Sequence, residues 1–325
     1  MFQAIESTRN RMVKQVEANG VLCTLAAAKA EAEMLDHGEV TRTFNPKSYD
    51  DVYDLAQTIR RIANLKFEPK VGIICGSGLG DLAEMVENAI IIPYSRIPGF
   101  PNTHVVGHKG NLVFGQLQGK NVVCLQGRFH PYEHNMDLAL CTTPVRIMHL
   151  LGIETLIVSN AAGGINPDFA FGDLMLLKDH IFMPGLCGFG PLVGMNDPRF
   201  GPRFVSVHDS YDVNLRKMAL KIAKEQEIKL HEGVYCMSAG PQYETPSEVK
   251  LYKVVGVDAL GMSTAHEVTV ARQLSIRVLG FSLITNIANT DVDNSVEVSH
   301  AEVLDAARQA SERACRFVAQ VVSEL

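Results

Sequence analysis

Four apolar runs in this 325-residue chain end in clusters of small and polar residues, and those ends are where its chemistry could be done. Ile73-Ile74-Cys75 leads into Gly76-Ser77-Gly78-Leu79-Gly80. Val123-Cys124-Leu125 leads into Gln126-Gly127-Arg128-Phe129-His130-Pro131-Tyr132-Glu133. Ile157-Val158 leads into Ser159-Asn160-Ala161-Ala162-Gly163-Gly164, and Leu283-Ile284 into Thr285-Asn286. Ligands of open α/β sheets gather beyond strand ends. Four such ends suggest one site shared by several loops; the plainer alternative is four separate turns. In the first, an apolar run, a Gly-rich loop and a segment from Asp81 to Val86 that can begin a helix would offer backbone N–H groups to an anion. The spacing is G-x-G-x-G, without the G-x-G-x-x-G of dinucleotide folds and without a following G-K-[ST]. It points to a phosphate but not to what carries it, and a purely structural tight turn stays open.

The second cluster holds the most chemistry. Arg128, His130 and Tyr132 alternate, so an extended segment would point all three to one side. A guanidinium fork suits a phosphate, and His130 and Tyr132 could hold hydroxyls; the bland alternative is a solvated turn with an Arg128–Glu133 salt bridge. In Gly240-Pro241-Gln242-Tyr243-Glu244-Thr245-Pro246, Tyr243 could stack on a flat ring and Glu244 could accept from ring N–H groups. Glu244 could equally be an acid at the start of the next helix. Gly261-Met262-Ser263-Thr264 ends a short apolar run and opens a helix, either as a second anion-facing terminus or as an ordinary cap. His104 and His108 invite a metal reading, but no Glu or Cys lies at ligand spacing. His266-Glu267-Val268-Thr269-Val270 lacks the second His of a zinc helix, so no metal is expected.

The whole chain sets bounds on these readings. Hydrophobic residues make up 46% and charged residues 20%, as in ordinary globular enzymes. A net charge of -6 and a pI near 6.0 argue against nucleic-acid or anionic-membrane partners. The sequence has no apolar window long enough to span a bilayer. The start, Met-Phe-Gln-Ala-Ile-Glu, has neither a basic n-region nor an apolar h-region. Seven scattered cysteines without a C-x-x-C predict a reduced, cytoplasmic protein.

The elements that must position these residues alternate between strand and helix. Ser48 can cap a helix through Val52, Leu55, Ile59 and Ile62. Strands are expected at 71–75, 89–93, 156–158, 175–177, 233–237 and 277–284. A hairpin is expected around Gln118-Gly119-Lys120. Helices are expected over 138–151, kinked or split at Pro144, and over 215–225, 247–255 and 299–322. Residues 184–204, rich in Gly and Pro, form a long loop of the kind that is often functional. The fold class is α/β: a single domain over 46–325 with a mixed, twisted central sheet flanked by helices on both faces. Residues 1–45 are expected to be an extension, helical or partly disordered.

Taken together and in order, these motifs, with Gly107-His108 among them, closely resemble the trimeric class of purine nucleoside phosphorylases. The resemblance covers about residues 46–325 and is specific, because so many motifs recur in sequence. It implies cleavage of the N-glycosidic bond of purine (deoxy)nucleosides by orthophosphate, giving free base and (deoxy)ribose 1-phosphate, as in purine salvage. It implies no cofactor and no metal, with phosphate as co-substrate and a homotrimer as the assembly. Ser77, His108, Arg128, Ala161 and Ser263 match the family's phosphate site. His130, Tyr132 and Met262 match ribose contacts, and His300 matches the residue facing the 5′-hydroxyl. Tyr243, Glu244, Leu260 and Asn286 match the base site. Phe204 matches an aromatic reaching into a neighbouring subunit's site.

Asn286, Glu244 and His130 are the residues the resemblance makes central to catalysis. Glu244 with Asn286 suits a 6-oxopurine such as inosine or guanosine, which presents N1–H and O6; the nearest rival is an S-methyl-5′-thioadenosine phosphorylase. A dinucleotide-binding module would need a different glycine spacing. A catalytically dead nucleoside-binding protein would carry the same motifs. Tyr243 stands where many relatives have Phe.

Overall fold

The computed structural model describes residues 44–77, 79–105, 107–293 and 300–325, without the side chains of 300–302 and 306. The expected extension over 1–45 therefore lies outside the described residues except at its last two positions, as do Gly78 and the His300 side chain. The first helix, α1 (Tyr49–Ile62), starts where the sequence puts it. The Ser48 hydroxyl accepts the Asp51 N–H, and the apolar face buries Val52, Leu55, Ala56 and Ile59.

β1 (Val71–Cys75) is buried along its whole length, which is why it reads as an unbroken apolar run. It lies parallel between β4 (Lys120–Gln126) and β5 (Thr155–Gly164). β2 (Glu87–Pro93), β3 (Asn111–Leu117) and β4 form an antiparallel meander. Its β3–β4 turn uses Gln118 and Gly119, both at positive φ, as a tight two-residue hairpin requires.

β6 (Leu174–Phe182), β7 (Leu230–Met237), β8 (Ala259–Gly261) and β9 (Arg277–Ile287) complete a nine-stranded sheet in the order β2-β3-β4-β1-β5-β8-β7-β6-β9. β9 also pairs with β5 over ten registered positions. The second half of the sheet, β5-β8-β7-β6-β9, therefore closes on itself as a ring, which alternation of strand and helix cannot foretell.

Helices cover both faces, as expected. On one face, α2 (Thr143–Leu151) packs over β1 at Gly72, where a Cβ would lie 3.1 Å from Met148 Sδ. On the other, α3 (Val213–Glu225) and α6 (His300–Ser323) bury Ile222, Phe317 and Val321 against Ile73 and Phe281. Each such side chain contributes roughly 1.5–3 kcal/mol.

The structure sharpens several local expectations. The helix after the glycine loop is of the 3-10 type, Gly80–Met85. The 138–151 helix is split, as expected at Pro144, with Leu138–Cys141 preceding α2, because a proline can sit in the first turn of a new helix but not inside an old one. The 247–255 helix begins one residue earlier than expected and is capped by Thr245. α4 (Pro246–Val254) carries a capping box between Thr245 and Glu248. The long 184–204 loop contains the end of a four-residue helix, Met183–Leu186, and a 3-10 turn, Pro198–Phe200, pinned by buried Phe200 against the Tyr49 ring at 5.0 Å.

Candidate active site

The C-terminal ends of β1, β4, β5, β7, β8 and β9 open into one cavity of about 790 Å³, so the four clusters, with two more loops, do share a site. The wall opens because β1 pairs with β5 only as far as Ile74 opposite Val158, leaving that edge of β5 without a partner strand from Ser159 to Ala162, until β8 pairs with it at Gly163. Ala161 lies on that open stretch and lines the cavity.

One end of the cavity suits an anion. Gly76 is glycine because β5 crosses it closely: a Cβ there would lie 2.4 Å from the Ser159 carbonyl oxygen. Its N–H donates to Ser159 Oγ at 3.1 Å, so this loop N–H is already used. What the loop presents is Ser77, whose hydroxyl lies 3.2 Å from His108 Nε2. His108 Nδ1 is held by the Arg128 backbone, with the N–H at 3.0 Å and the carbonyl at 3.2 Å, and this fixes the ring with Nε2 facing Ser77. Burial, and then the neighbouring His130, push His108 down to about 3, so the ring is neutral. His108 thus stands behind Ser77 and not in the cavity wall.

Arg128 is 1% exposed, and its guanidinium does not pair with Glu133. Its Nε and Nη2 clasp the Glu267 carboxylate at 2.9 to 3.2 Å, and Nη1 donates to the Ser159 carbonyl at 2.7 Å. Of five N–H donors these contacts use three, and Arg128 still lines the cavity.

Ser263 also lines this end, just before α5 (Ala265–Gln273). The residue between is no ordinary cap. Thr264 has φ 80°, ψ -55°, with the Ala265 N–H donating to the Ser263 carbonyl at 3.0 Å, a γ-turn strained by roughly 1–3 kcal/mol. Asn160 holds it by donating from Nδ2 to Thr264 Oγ1 at 2.9 Å, and Ser282 in turn donates to Asn160 Oδ1 at 2.7 Å.

Between the two ends, the His130 and Tyr132 rings stack at 5.0 Å and 15°. His130 Nδ1 lies 3.3 Å from Glu133 Oε2. Burial would raise the Glu133 carboxyl, but the bonds from His130 and from the His104 N–H outweigh it and bring it to about 2. Glu133 thus orients His130 instead of pairing with Arg128. Met262 lines the wall beside them. A Cβ on Gly240, which has φ 67°, would meet Met262 Sδ at 2.5 Å.

The far end is built around Gly163. On β5 it lies opposite Leu260 of β8 on one side and Asn286 of β9 on the other, next to a register shift. A Cβ at Gly163 would lie 3.1 Å from Asn286 Nδ2, so the glycine leaves the amide room to face the cavity. Tyr243 and Glu244 face it from the loop after β7. Glu244 is not the acid of the next helix; Thr245 and Glu248 do that work. Burial raises its carboxyl, while Ser238 Oγ donates to its Oε1 at 2.6 Å and opposes that rise.

Every expected site residue with a described side chain is in or directly behind this cavity except Phe204, which is 88% exposed and lines no part of it. The supporting residues Glu267, Glu133, Ser238, Thr264 and Ser282 were not singled out for these roles. They sit on elements whose ends carry the motifs, but each acts on a partner distant in sequence or through loop geometry that spacing does not encode. No group of three or more metal-binding side chains occurs among the described residues.

The family model of the Phosphorylase superfamily matches residues 70–323. The chain is 47% identical to the purine nucleoside phosphorylase of Mus musculus over 86% of this chain and 97% of the mouse protein. It is 46% identical to purine nucleoside phosphorylase 1 of Geobacillus stearothermophilus over 79% and 92%. A structure of Schistosoma mansoni purine nucleoside phosphorylase in complex with inosine superimposes with a TM-score of 0.82. It is 43% identical and covers 86% of this chain and 98% of that one.

Proposed function

The chain belongs to the purine nucleoside phosphorylases, pentosyltransferases of mixed α/β fold, and we propose that it cleaves 6-oxopurine (deoxy)nucleosides with orthophosphate. The observation that carries this reading is the polarity of a single cavity. Ser77, Arg128 and Ser263 gather at one end of it and Glu244 and Asn286 at the other, with His130 and Tyr132 between. That order matches phosphate, sugar and base laid end to end.

In this reading Ser77, backed by neutral His108, holds phosphate with Ser263 and the free N–H groups of Arg128 against the sugar's anomeric carbon, so that attack is effectively intramolecular. The Glu267 carboxylate offsets the Arg128 charge and aims the fork. Phosphate binding thus adds an anion to a site that already holds a balanced pair. As the glycosidic bond breaks, positive charge grows on the sugar and negative charge on the purine. Asn286 stabilises that negative charge at the N7/O6 edge, and Glu244 fixes the base through N1–H. His130 and Tyr132 hold the sugar, and His300 meets its 5′-hydroxyl. The chemistry needs no metal or cofactor beyond orthophosphate as co-substrate.

The reading extends to a homotrimer in which Phe204 completes a neighbour's site. The Phe204 ring projects from a loop that also exposes Leu186, Phe189 and Val193. Cytoplasmic purine salvage is the matching cellular role, with residues 1–45 as an extension to the catalytic domain. Glu244 favours this over a methylthioadenosine phosphorylase, because an ionised carboxylate can only accept and a 6-aminopurine offers no N1–H. Inosine incubated with and without phosphate is the test. Hypoxanthine release only with phosphate is expected. Absence of release, or methylthioadenosine turned over as well as inosine, would overturn the reading.

A further inference from the structure

Glu244 meets the base in the reading above, yet one of its oxygens is already engaged. Ser238, the first residue after β7, is nearly buried and donates its hydroxyl to Glu244 Oε1 at 2.6 Å. The direction is fixed, because an ionised carboxylate has no proton to give, and a bond this short is charge-assisted. The Gly261 carbonyl accepts the Ser238 N–H at 2.8 Å and lies 3.3 Å from the Ser238 hydroxyl, whose one proton goes to the nearer carboxylate oxygen. The hydroxyl therefore stands on a fixed strand end while Glu244 sits on the loop it steadies. Among the described residues no other side chain donates to this carboxylate.

We propose that Ser238 positions Glu244 and thereby sets how the site ranks purines that offer this carboxylate one N–H against those that offer two. The proposal rests on the assignment of Glu244 to the base. Hypoxanthine presents N1–H alone, and Oε2 with one donor satisfies it. Guanine presents N1–H and an adjacent amino N–H, a pair that fits both oxygens side by side. With Ser238 on Oε1, the second donor must share that oxygen. The arrangement fixes the carboxylate for both substrates but leaves inosine the better served. A site with placed hydrogen-bond partners discriminates on just such single groups.

Ser238→Ala removes the hydroxyl and keeps the strand-end bond, since that bond uses the backbone. For inosine, kcat/KM is expected to fall about tenfold, mostly through KM, in line with loss of a hydrogen bond to a charged group. Guanosine is expected to lose less, because the freed Oε1 can take its amino N–H, so the guanosine-to-inosine ratio should rise several-fold. Ser238→Thr, which retains a hydroxyl, should restore the wild-type ratio. Equal losses for the two substrates, or no loss, would overturn the proposal. Calorimetric binding of free hypoxanthine and guanine to wild type and Ser238→Ala reads the same contact without turnover. A ratio of affinities that the substitution leaves unmoved refutes the role of Ser238, whereas failure of wild type to release base from inosine refutes the reaction.

Discussion

Arg128 is 1% exposed and Glu267 is as deeply buried, whereas at the other end of the same cavity Tyr243 is 39% exposed. The contrast runs through every contact. At the phosphate end each functional group has a placed partner: Ser77 has His108 in the loop before β3, Arg128 has Glu267 at the start of α5 and the Ser159 carbonyl of β5, and Thr264, next to Ser263, has Asn160 of β5. At the base end Tyr243 and Glu244 sit on a loop, and among the described residues the Asn286 amide has one side-chain hydrogen bond, accepted from the Thr285 hydroxyl at 3.3 Å. Phosphate is the same ion in every turnover, so a rigidly held cluster suits it, and preorganised dipoles are most effective when they need not move. The base varies between substrates, and a looser end can accept that variation. The contrast also separates two roles: substitutions at the phosphate end should damage the fold and the site together, and those at the base end the site alone.

The largest effect should come from Glu267→Gln. It leaves the buried Arg128 charge without its counter-ion, and losing one partner of such a pair costs about 3–5 kcal/mol. Urea unfolding should show that loss, with a raised KM for phosphate in whatever remains folded. A variant within about 0.5 kcal/mol of wild type would mean that the phosphate end is not the rigid half of the cavity.

Asn286→Ala tests the other side. Removing one preorganised donor to a leaving group lowers kcat by about 10²- to 10³-fold, while stability should change by less than about 1 kcal/mol, since the amide carries so little structure. Turnover and unfolding measured on the same preparation decide it. A large stability loss would erase the distinction between the two ends.

Gly163→Ala should act through Asn286 alone. The added Cβ meets the amide at 3.1 Å and moves it by a few tenths of an ångström. A misplacement of that kind should lower kcat about tenfold and leave the KM for phosphate unchanged. If KM for phosphate rises with it, the two ends are mechanically linked across β5.

How much of this was legible beforehand follows the same divide. β1 and the β3–β4 hairpin could be read from an unbroken apolar run and a Gln-Gly turn, because burial on both faces and turn chemistry leave direct marks on local sequence. Ser77, Arg128 and Asn286 stood out because they cluster at strand ends, and Glu244 because it follows Tyr243 in a Pro-bounded loop. The fate of the Arg128 fork did not: spacing suggested Glu133, five residues on, while the structure gives it Glu267, 139 residues away. Closure of β5 to β9 was equally hidden, since strand order is set by packing of the whole chain. The strain at Thr264 left no trace either, as nothing about a threonine announces positive φ.

The smallest effect should come from Tyr243→Phe, and it tests the looser end directly. The Tyr243 hydroxyl makes no hydrogen bond with the described residues, and the side chain is partly in solvent. What the site needs is the ring, as a flat surface for a flat base. Removing the hydroxyl should therefore change kcat/KM for inosine by less than about threefold, as for other exposed polar groups without a partner. A tenfold loss would place the hydroxyl in a contact made only when substrate is bound. The base end would then be as fixed in the working complex as the phosphate end, and the contrast between the two would not extend to catalysis.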